Sequence, residues 1–216
     1  FTVTVNDNQE PVFTNCPPNP PLCADSTGKY TKTGTSWDAT ATDVCSAISS
    51  VIYNLSGSTT GTGTSLDGVA FNVGTTAVTW TATDSAGNTS NCVFSVTING
   101  LPATPIVGTI TQPDCFIATG SAVLGNLPAS GTWTLIRNPG AITTTGTGTS
   151  TTISGLAIGT YTYTVSNGTC TSLASANVVI SPLVTNTWNG VAWSNGGLLP
   201  TSDQNIVFTA GFSSDN

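Results

Sequence analysis

The stretch Val78–Ile98, VTWTATDSAGNTSNCVFSVTI, determines the fold of the chain's first domain. Apolar residues occupy every second position on both sides of the segment 84–88, DSAGN, and the positions between them are mostly threonine and serine. A period of two indicates strands with one buried face. Asp84 can fold back onto its own backbone, and Gly87 and Asn88 tolerate the positive φ of a short loop. The stretch therefore predicts a β-hairpin.

The end of this hairpin recurs at the start of the chain. FTVTVN at 1–6 matches FSVTIN at 94–99 almost residue for residue. Self-similarity at the spacing of one domain is typical of tandem repeats. We therefore expect residues 1–6 to be the last strand of a preceding repeat and residues 7–100 to form one domain.

The composition limits the partners of the chain. Its net charge is −7, because it has ten acidic residues and only three basic ones, Lys29, Lys32 and Arg137. Without a basic patch it is a poor partner for nucleic acid or an anionic membrane surface, and divalent cations suit it better. No apolar run approaches the ~20 residues of a membrane span, so we expect no membrane insertion in this segment.

The first domain is expected to be a β-sandwich. Further strands are predicted at Tyr30–Trp37, Ser46–Leu55 and Val69–Val73, with a Gly/Ser/Thr loop at Ser56–Ser65. Together with the hairpin this makes about seven short strands separated by turns, which indicates an all-β sandwich.

Several short motifs in this domain resemble the hyalin repeat (HYR) module. They are Cys16-Pro17, Ala41-Thr42-Asp43 followed by Cys45, FNVGTT at 71–76, ATDSAGN at 82–88 and CVFSV at 92–96. The resemblance implies an immunoglobulin-like extracellular module linked to adhesion. It implies no catalytic residue and no particular ligand.

A second domain is expected over residues 101–182, after the stiff linker LPATP at 101–105. GLAIGTYTYTV at 155–165 is similar to the penultimate-strand signature of Ig-like repeats in large surface adhesins of gliding Bacteroidetes bacteria. Those proteins often combine such repeats with HYR modules. The resemblance implies tandem immunoglobulin-like sandwiches in an extended array and a link to gliding motility. Strands are predicted at Ile106–Thr111, Gly120–Leu124, Gly131–Arg137, Ser150–Ile153, Gly159–Val165 and Ser175–Ile180.

Residues 183–216 begin something different. TWNGVAWS at 187–194 and DQNIVF at 203–208 supply two tryptophans and one apolar strand. That is too little to bury a core. We expect the start of a further β module, truncated at Asn216.

The cysteines predict disulfides. The chain has six cysteines, no histidine and no CxxC pair, which favours disulfides in an oxidising compartment over a zinc site. Some could instead be free buried thiols. Cys16–Cys92 would join the start of the first domain to its last strand, Cys23–Cys45 follows the usual HYR arrangement, and Cys115–Cys170 follows if the second domain folds independently.

Asp7 is the sharpest candidate metal ligand. NDNQEP at 6–11 resembles the calcium-binding linker between cadherin repeats, and calcium takes carboxylate and carbonyl oxygens. Glu10 and Asp84 complete the predicted calcium set, and Asp43 could supply a further ligand. The alternative is that these are ordinary linker and turn acids.

Two serines are candidate glycosylation sites. Asp25-Ser26-Thr27 and Asp84-Ser85-Ala86 resemble the short O-glycosylation motif of the bacterial group named above, with Ser26 and Ser85 as acceptors. The alternative is ordinary turn serines. The N-x-Ser/Thr sequons at Asn54, Asn88 and Asn167 matter only in a eukaryotic source.

The chain is not expected to be an enzyme. It has no histidine, a lone arginine and scattered carboxylates, so no nucleophile with a base is visible. We expect an extracellular spacer or stalk segment of a multi-repeat cell-surface adhesin or filament, whose partners are neighbouring repeats, surface glycans or other adhesin chains. The alternative is a carbohydrate-binding accessory region of a secreted polysaccharide-degrading enzyme. Tyr161, Tyr163 and the tryptophans could form a sugar-binding platform, with the Trp188/Trp193 region the part that would mark an accessory module. These residues could equally be core and interface aromatics.

Overall fold

The computed structural model describes residues 1–2, 6–17, 21–114, 116–188 and 204–208. The chain divides into two compact units, Phe1–Leu101 and Pro102–Asn216. The described residues contain strands and turns but no helix, so the all-β class is confirmed.

The first unit is built from one large and two small antiparallel sheets, with one short parallel edge. β2, β9, β8, β5 and β6 form a five-stranded sheet, while β1 pairs with β4 and β3 pairs with β7. In the five-stranded sheet, β2 runs parallel to its neighbour, β9. The strands are β1 Val12–Asn15, β2 Leu22–Cys23, β3 Lys29–Thr31, β4 Thr40–Thr42, β5 Ile48–Gly57, β6 Gly61–Gly63, β7 Ala70–Asn72, β8 Gly74–Asp84 and β9 Thr89–Asn99.

The predicted hairpin is confirmed as β8 and β9, the centre of this sheet. Trp80 pairs with Cys92, and the alternate residues of β8 from Thr76 to Asp84 are buried. Trp80 is fully buried and meets Tyr53 of β5 edge to face, with ring centroids 5.4 Å apart. The alternation seen in the sequence thus places one face of the hairpin in the core.

Two predictions of local structure in the first unit are wrong. The strand predicted over 30–37 ends at Thr31, and within the remainder of the predicted run Gly34 has a φ of 69°, which lies outside the extended region. The loop predicted over 56–65 contains β6, which pairs with β5. Gly63 of β6 lies flat on the Tyr53 ring, where a Cβ would come within 2.8 Å of the phenol oxygen.

One lysine is buried beside this core. Lys32 is 4 % exposed, and its ammonium group donates to the carbonyls of Thr33 and Gly34, the latter at 2.6 Å. The same nitrogen lies 5.3 Å from the centroid of the Trp37 ring. Carbonyl dipoles and an aromatic face both stabilise a buried cation.

We expect Lys32→Met to lower the free energy of unfolding of the first unit by about 1–3 kcal/mol, because it keeps the apolar stem and removes two charge-assisted hydrogen bonds. Lys29→Met is the matched control, since Lys29 is exposed and its loss should cost less than about 0.5 kcal/mol. Urea denaturation measures both. Equal effects for the two variants would contradict a stabilising role for the buried ammonium group.

The second unit contains a sandwich of two antiparallel sheets. One has the order β10-β11-β14 and the other β13-β12-β15-β16. Their facing residues form one core, around Trp133, Leu135, Tyr163 and Leu124. The strands are β10 Ile106–Thr111, β11 Gly120–Gly125, β12 Trp133–Asn138, β13 Ile142–Gly146, β14 Ser150–Leu156, β15 Gly159–Ser166 and β16 Val178–Ile180.

The last described strands differ from those of the sandwiches. β17, Val184–Trp188, pairs in parallel with β18, Gln204–Phe208. Residues 189–203 and 209–216 of the predicted further module lie outside the described residues.

The predicted Cys16–Cys92 disulfide is present, with Cα atoms 5.9 Å apart. The predicted Cys23–Cys45 disulfide is wrong, because the thiol of Cys45 is exposed and free while Cys23 is disulfide-bonded. Cys23 pairs with Asn99 at one end of β9, whereas Cys45 lies near the hairpin loop at the other end, roughly 30 Å away by strand rise. A disulfide needs Cα atoms within about 7 Å.

Cys170 is disulfide-bonded. Its predicted partner, Cys115, lies outside the described residues, so that pairing stays a prediction.

Candidate metal centre

Three aspartates from separate parts of the first unit meet at one end of the sheet. Asp7 lies in the segment before β1, Asp43 follows β4 directly, and Asp84 is the last residue of β8. One carboxylate oxygen from each lies within 4.8 Å of the others. We call this group the acidic centre.

The hairpin loop holds Asp84. Its Oδ1 accepts hydrogen bonds from the backbone N–H groups of Gly87 and Asn88 at 2.7 and 2.8 Å, and its Oδ2 accepts one from Asn88 Nδ2 at 2.8 Å. Burial acts to raise the pKa of the Asp84 carboxyl, but these hydrogen bonds outweigh it and hold the pKa below the ordinary value of 3.8. The carboxyl group is therefore an anion at neutral pH, although Asp84 is only 2 % exposed.

Asp43 and Asp7 are held in the same way by their own loops. Asp43 Oδ1 accepts from the backbone N–H groups of Cys45 and Ser46, each at 2.8 Å. Asp7 Oδ1 accepts from the backbone N–H of Gln9 at 2.9 Å. Aspartate at the start of such a turn is favoured because it satisfies backbone donors that the turn leaves free.

The second oxygens of these two residues have no such partner. Asp7 Oδ2 and Asp43 Oδ2 are buried, and neither accepts a hydrogen bond from the described residues. None of the three carboxylates forms an ion pair within that part of the chain. A buried charge without a partner is costly, and three close anions repel one another. A bound cation would remove both costs, and oxygen-only ligands suit calcium.

A cavity of about 550 Å³ borders the acidic centre at Asp7 and is lined by Asn6, Asp7, Asn8, Gln9 and Cys45. The Cys45 thiol lies 3.3 Å from Gln9 Oε1 on this wall. An ion and its water ligands could enter by this route.

The predicted ligands are thus only partly brought together. Asp7 and Asp84 lie in the acidic centre, whereas Glu10 is exposed and lies outside it. Asp43 is the third aspartate of the acidic centre. The tripeptide Ala-Thr-Asp occurs at both 41–43 and 82–84, each time at the end of a strand. This repetition is the sequence feature that indicates Asp43 together with Asp84.

Both candidate glycosylation serines lie on exposed turns. Ser26 follows Asp25, whose carboxyl pKa is lowered by hydrogen bonds from the hydroxyl and backbone N–H of Thr27. Ser85 lies in the hairpin loop and lines a depression beside Asp7. Both hydroxyls are therefore open to a modifying enzyme.

The aromatic residues do not form the predicted sugar platform in the second unit. Tyr161 and Tyr163 are 8 % and 2 % exposed and belong to the core between the sheets. Burial raises the pKa of the Tyr163 phenol, an effect that the nearby Arg137 partly offsets. The side chain of Trp188 and all of Trp193 lie outside the described residues.

The fold and the disulfides define an all-β chain suited to an extracellular or cell-surface location. Residues 6–98 match the HYR domain family. This match is consistent with a structural or binding module of the cell surface. A comparison with curated protein sequences gives no match.

Several solved structures match the chain at low similarity. A Bacteroides ovatus SGBP-B protein of a mixed-linkage glucan utilization locus, in complex with a heptasaccharide, has a TM-score of 0.29 at 12 % identity, covering 85 % of this chain and 50 % of its own. The chain thus spans half the length of that protein. The FN1–FN3 domains of chicken CNTN1 have a TM-score of 0.33 at 13 % identity, covering 76 % and 62 %. The BSP domain of a biofilm-associated protein has a TM-score of 0.27 at 18 % identity, covering 67 % and 26 %.

Within the described part of the chain, no helix is long and apolar enough to cross a membrane.

Proposed function

We propose that the chain is a non-catalytic spacer segment of a secreted, multi-repeat cell-surface adhesin or filament, in which calcium at the acidic centre fastens the N-terminal segment to the first unit. The observation that carries this proposal is the pair of buried, unpartnered oxygens of Asp7 and Asp43. The HYR match supports a role in adhesion. In its most specific form, the proposal is that the chain belongs to an adhesin of gliding bacteria with tandem Ig-like repeats.

The position of Asp7 gives the calcium a mechanical role. Asp7 belongs to the segment 6–10, which precedes the first strand, whereas Asp43 and Asp84 belong to loops of the folded unit. An ion bound by all three ties that segment to the unit. Calcium bound in this way would stiffen the joint to a preceding repeat, while the joint at 101–105 relies on Pro102 and Pro105.

A glycan pull-down tests the spacer against a carbohydrate-binding role. We expect the full chain to be retained by no polysaccharide, because the aromatics of the described cores are buried. Trp188→Ala with Trp193→Ala is the matched variant, since these residues would carry any platform outside the cores. Selective retention that this double variant abolishes would overturn the spacer role in favour of a carbohydrate-binding accessory region.

O-glycosylation of Ser26 and Ser85 belongs to the same proposal, because sugars on exposed turns suit a secreted surface protein. Intact mass spectrometry of protein from the native source should show a mass above that of the polypeptide, reduced stepwise by Ser26→Ala and Ser85→Ala. A mass equal to that of the bare chain would rule both sites out.

A further inference from the structure

We infer that Asn88 is a two-state residue of the acidic centre, whose side-chain amide donates to the Asp84 carboxylate and the Asp7 backbone carbonyl without calcium and turns to ligate the ion through Oδ1 when calcium binds. The inference rests on the proposed calcium site. It adds a neutral ligand to the three charged ones.

The geometry places the Asn88 amide at the right point. Its Nδ2 lies 2.8 Å from Asp84 Oδ2 and 3.2 Å from the backbone carbonyl oxygen of Asp7. The amide therefore bridges the hairpin loop and the N-terminal segment. The Asp84 side chain is buried, and Asp7 Oδ2 and Asp43 Oδ2 are buried with no hydrogen-bond partner among the described residues.

Calcium coordination fits this position. Calcium–oxygen distances of about 2.3–2.6 Å put neighbouring ligand oxygens about 3 Å apart. An oxygen at the present position of Nδ2 would thus be a neighbour of both Asp84 Oδ2 and the Asp7 carbonyl in one coordination shell. The three aspartates, that carbonyl and Asn88 would give five protein oxygens, and water from the adjacent cavity would complete the six to eight that calcium takes.

A half turn of the amide makes the exchange. The amide has a donor at one end and an acceptor at the other, so rotation about the Cβ–Cγ bond swaps them. Without a cation, Oδ1 in this place would face two acceptor oxygens, so the donor orientation is favoured. With a cation between the oxygens, the acceptor orientation is favoured.

Isothermal titration of calcium into the full chain tests the inference with three variants. We expect Asn88→Ala to weaken binding about tenfold or more, as losing a group that holds a metal site does. Asn88→Asp should tighten binding, because it keeps the shape and adds a charged ligand. Asn91→Asp adds the same charge on the exposed face of β9, where an aspartate oxygen can still accept from Thr81, and should change affinity less than about threefold.

The outcomes separate the inference from the proposal beneath it. If the wild type binds calcium but Asn88→Ala binds equally well, or Asn88→Asp binds no tighter than Asn91→Asp, the ligand role of Asn88 is wrong and the acidic centre stands. If the wild type takes up no calcium, both fail. Asn88→Asp decides the question even if Asn88→Ala does not fold.

Discussion

Saturating calcium is expected to raise the melting temperature of the first unit by roughly 10–20 °C, and Asp43→Asn to remove most of that increase. A ligand at a hundred times its dissociation constant stabilises the native state by about 2.7 kcal/mol. For a domain of this size each kcal/mol shifts the melting temperature by about 4–8 °C. The gain comes from ending the repulsion among three close carboxylates that have no cationic partner among the described residues.

Differential scanning calorimetry with calcium, with magnesium and with chelator measures this shift. Glu10→Gln is the matched control, because Glu10 is an exposed acid of the same segment that lies outside the acidic centre. It should keep the full response to calcium. A response lost in Glu10→Gln and retained in Asp43→Asn would show that the wrong residues have been assigned.

Removing the Cys16–Cys92 disulfide is expected to cost the first unit about 4 kcal/mol. The bond closes a loop with a sequence separation of 76, so it removes much conformational freedom from the unfolded chain. The double variant Cys16→Ala with Cys92→Ala also leaves a small gap in the core, since Cys92 is 4 % exposed.

Chemical denaturation followed by tryptophan fluorescence measures this loss. Cys45→Ser is the control, because that thiol is exposed and free, and we expect a change below about 0.5 kcal/mol. A loss under about 1 kcal/mol for the double variant would mean that the unfolded chain retains structure that the disulfide does not need to restrain.

The sequence predicts well the strands in which buried and exposed residues alternate. β8, β9 and β15 show that alternation, and their predicted and observed bounds differ by a few residues at most. The sequence does not predict β13, because its residues are almost all exposed and ITTTG therefore carries no alternation. The sequence does not predict β6, because a glycine that packs on Tyr53 cannot be distinguished in sequence from a glycine of a loop.

The candidate site was predictable only in part, because its members come from three places in the chain. Asp7 and Asp84 stand in recognisable linker and turn motifs. The choice between Glu10 and Asp43 depends on the approach of the loop after β4 to the hairpin loop, which Ser85 fixes by donating its N–H to the Ala47 carbonyl. The failed Cys23–Cys45 pairing has the same origin, since long-range proximity is absent from local spacing.

Calcium stoichiometry by native mass spectrometry tests the central claim most directly. With calcium in modest excess, the full chain should carry one ion that magnesium does not replace and that Asp7→Asn and Asp43→Asn each abolish, while Glu10→Gln keeps it. A wild-type chain that carries no calcium, or a double Asp7→Asn and Asp43→Asn variant that still carries one, would contradict the account.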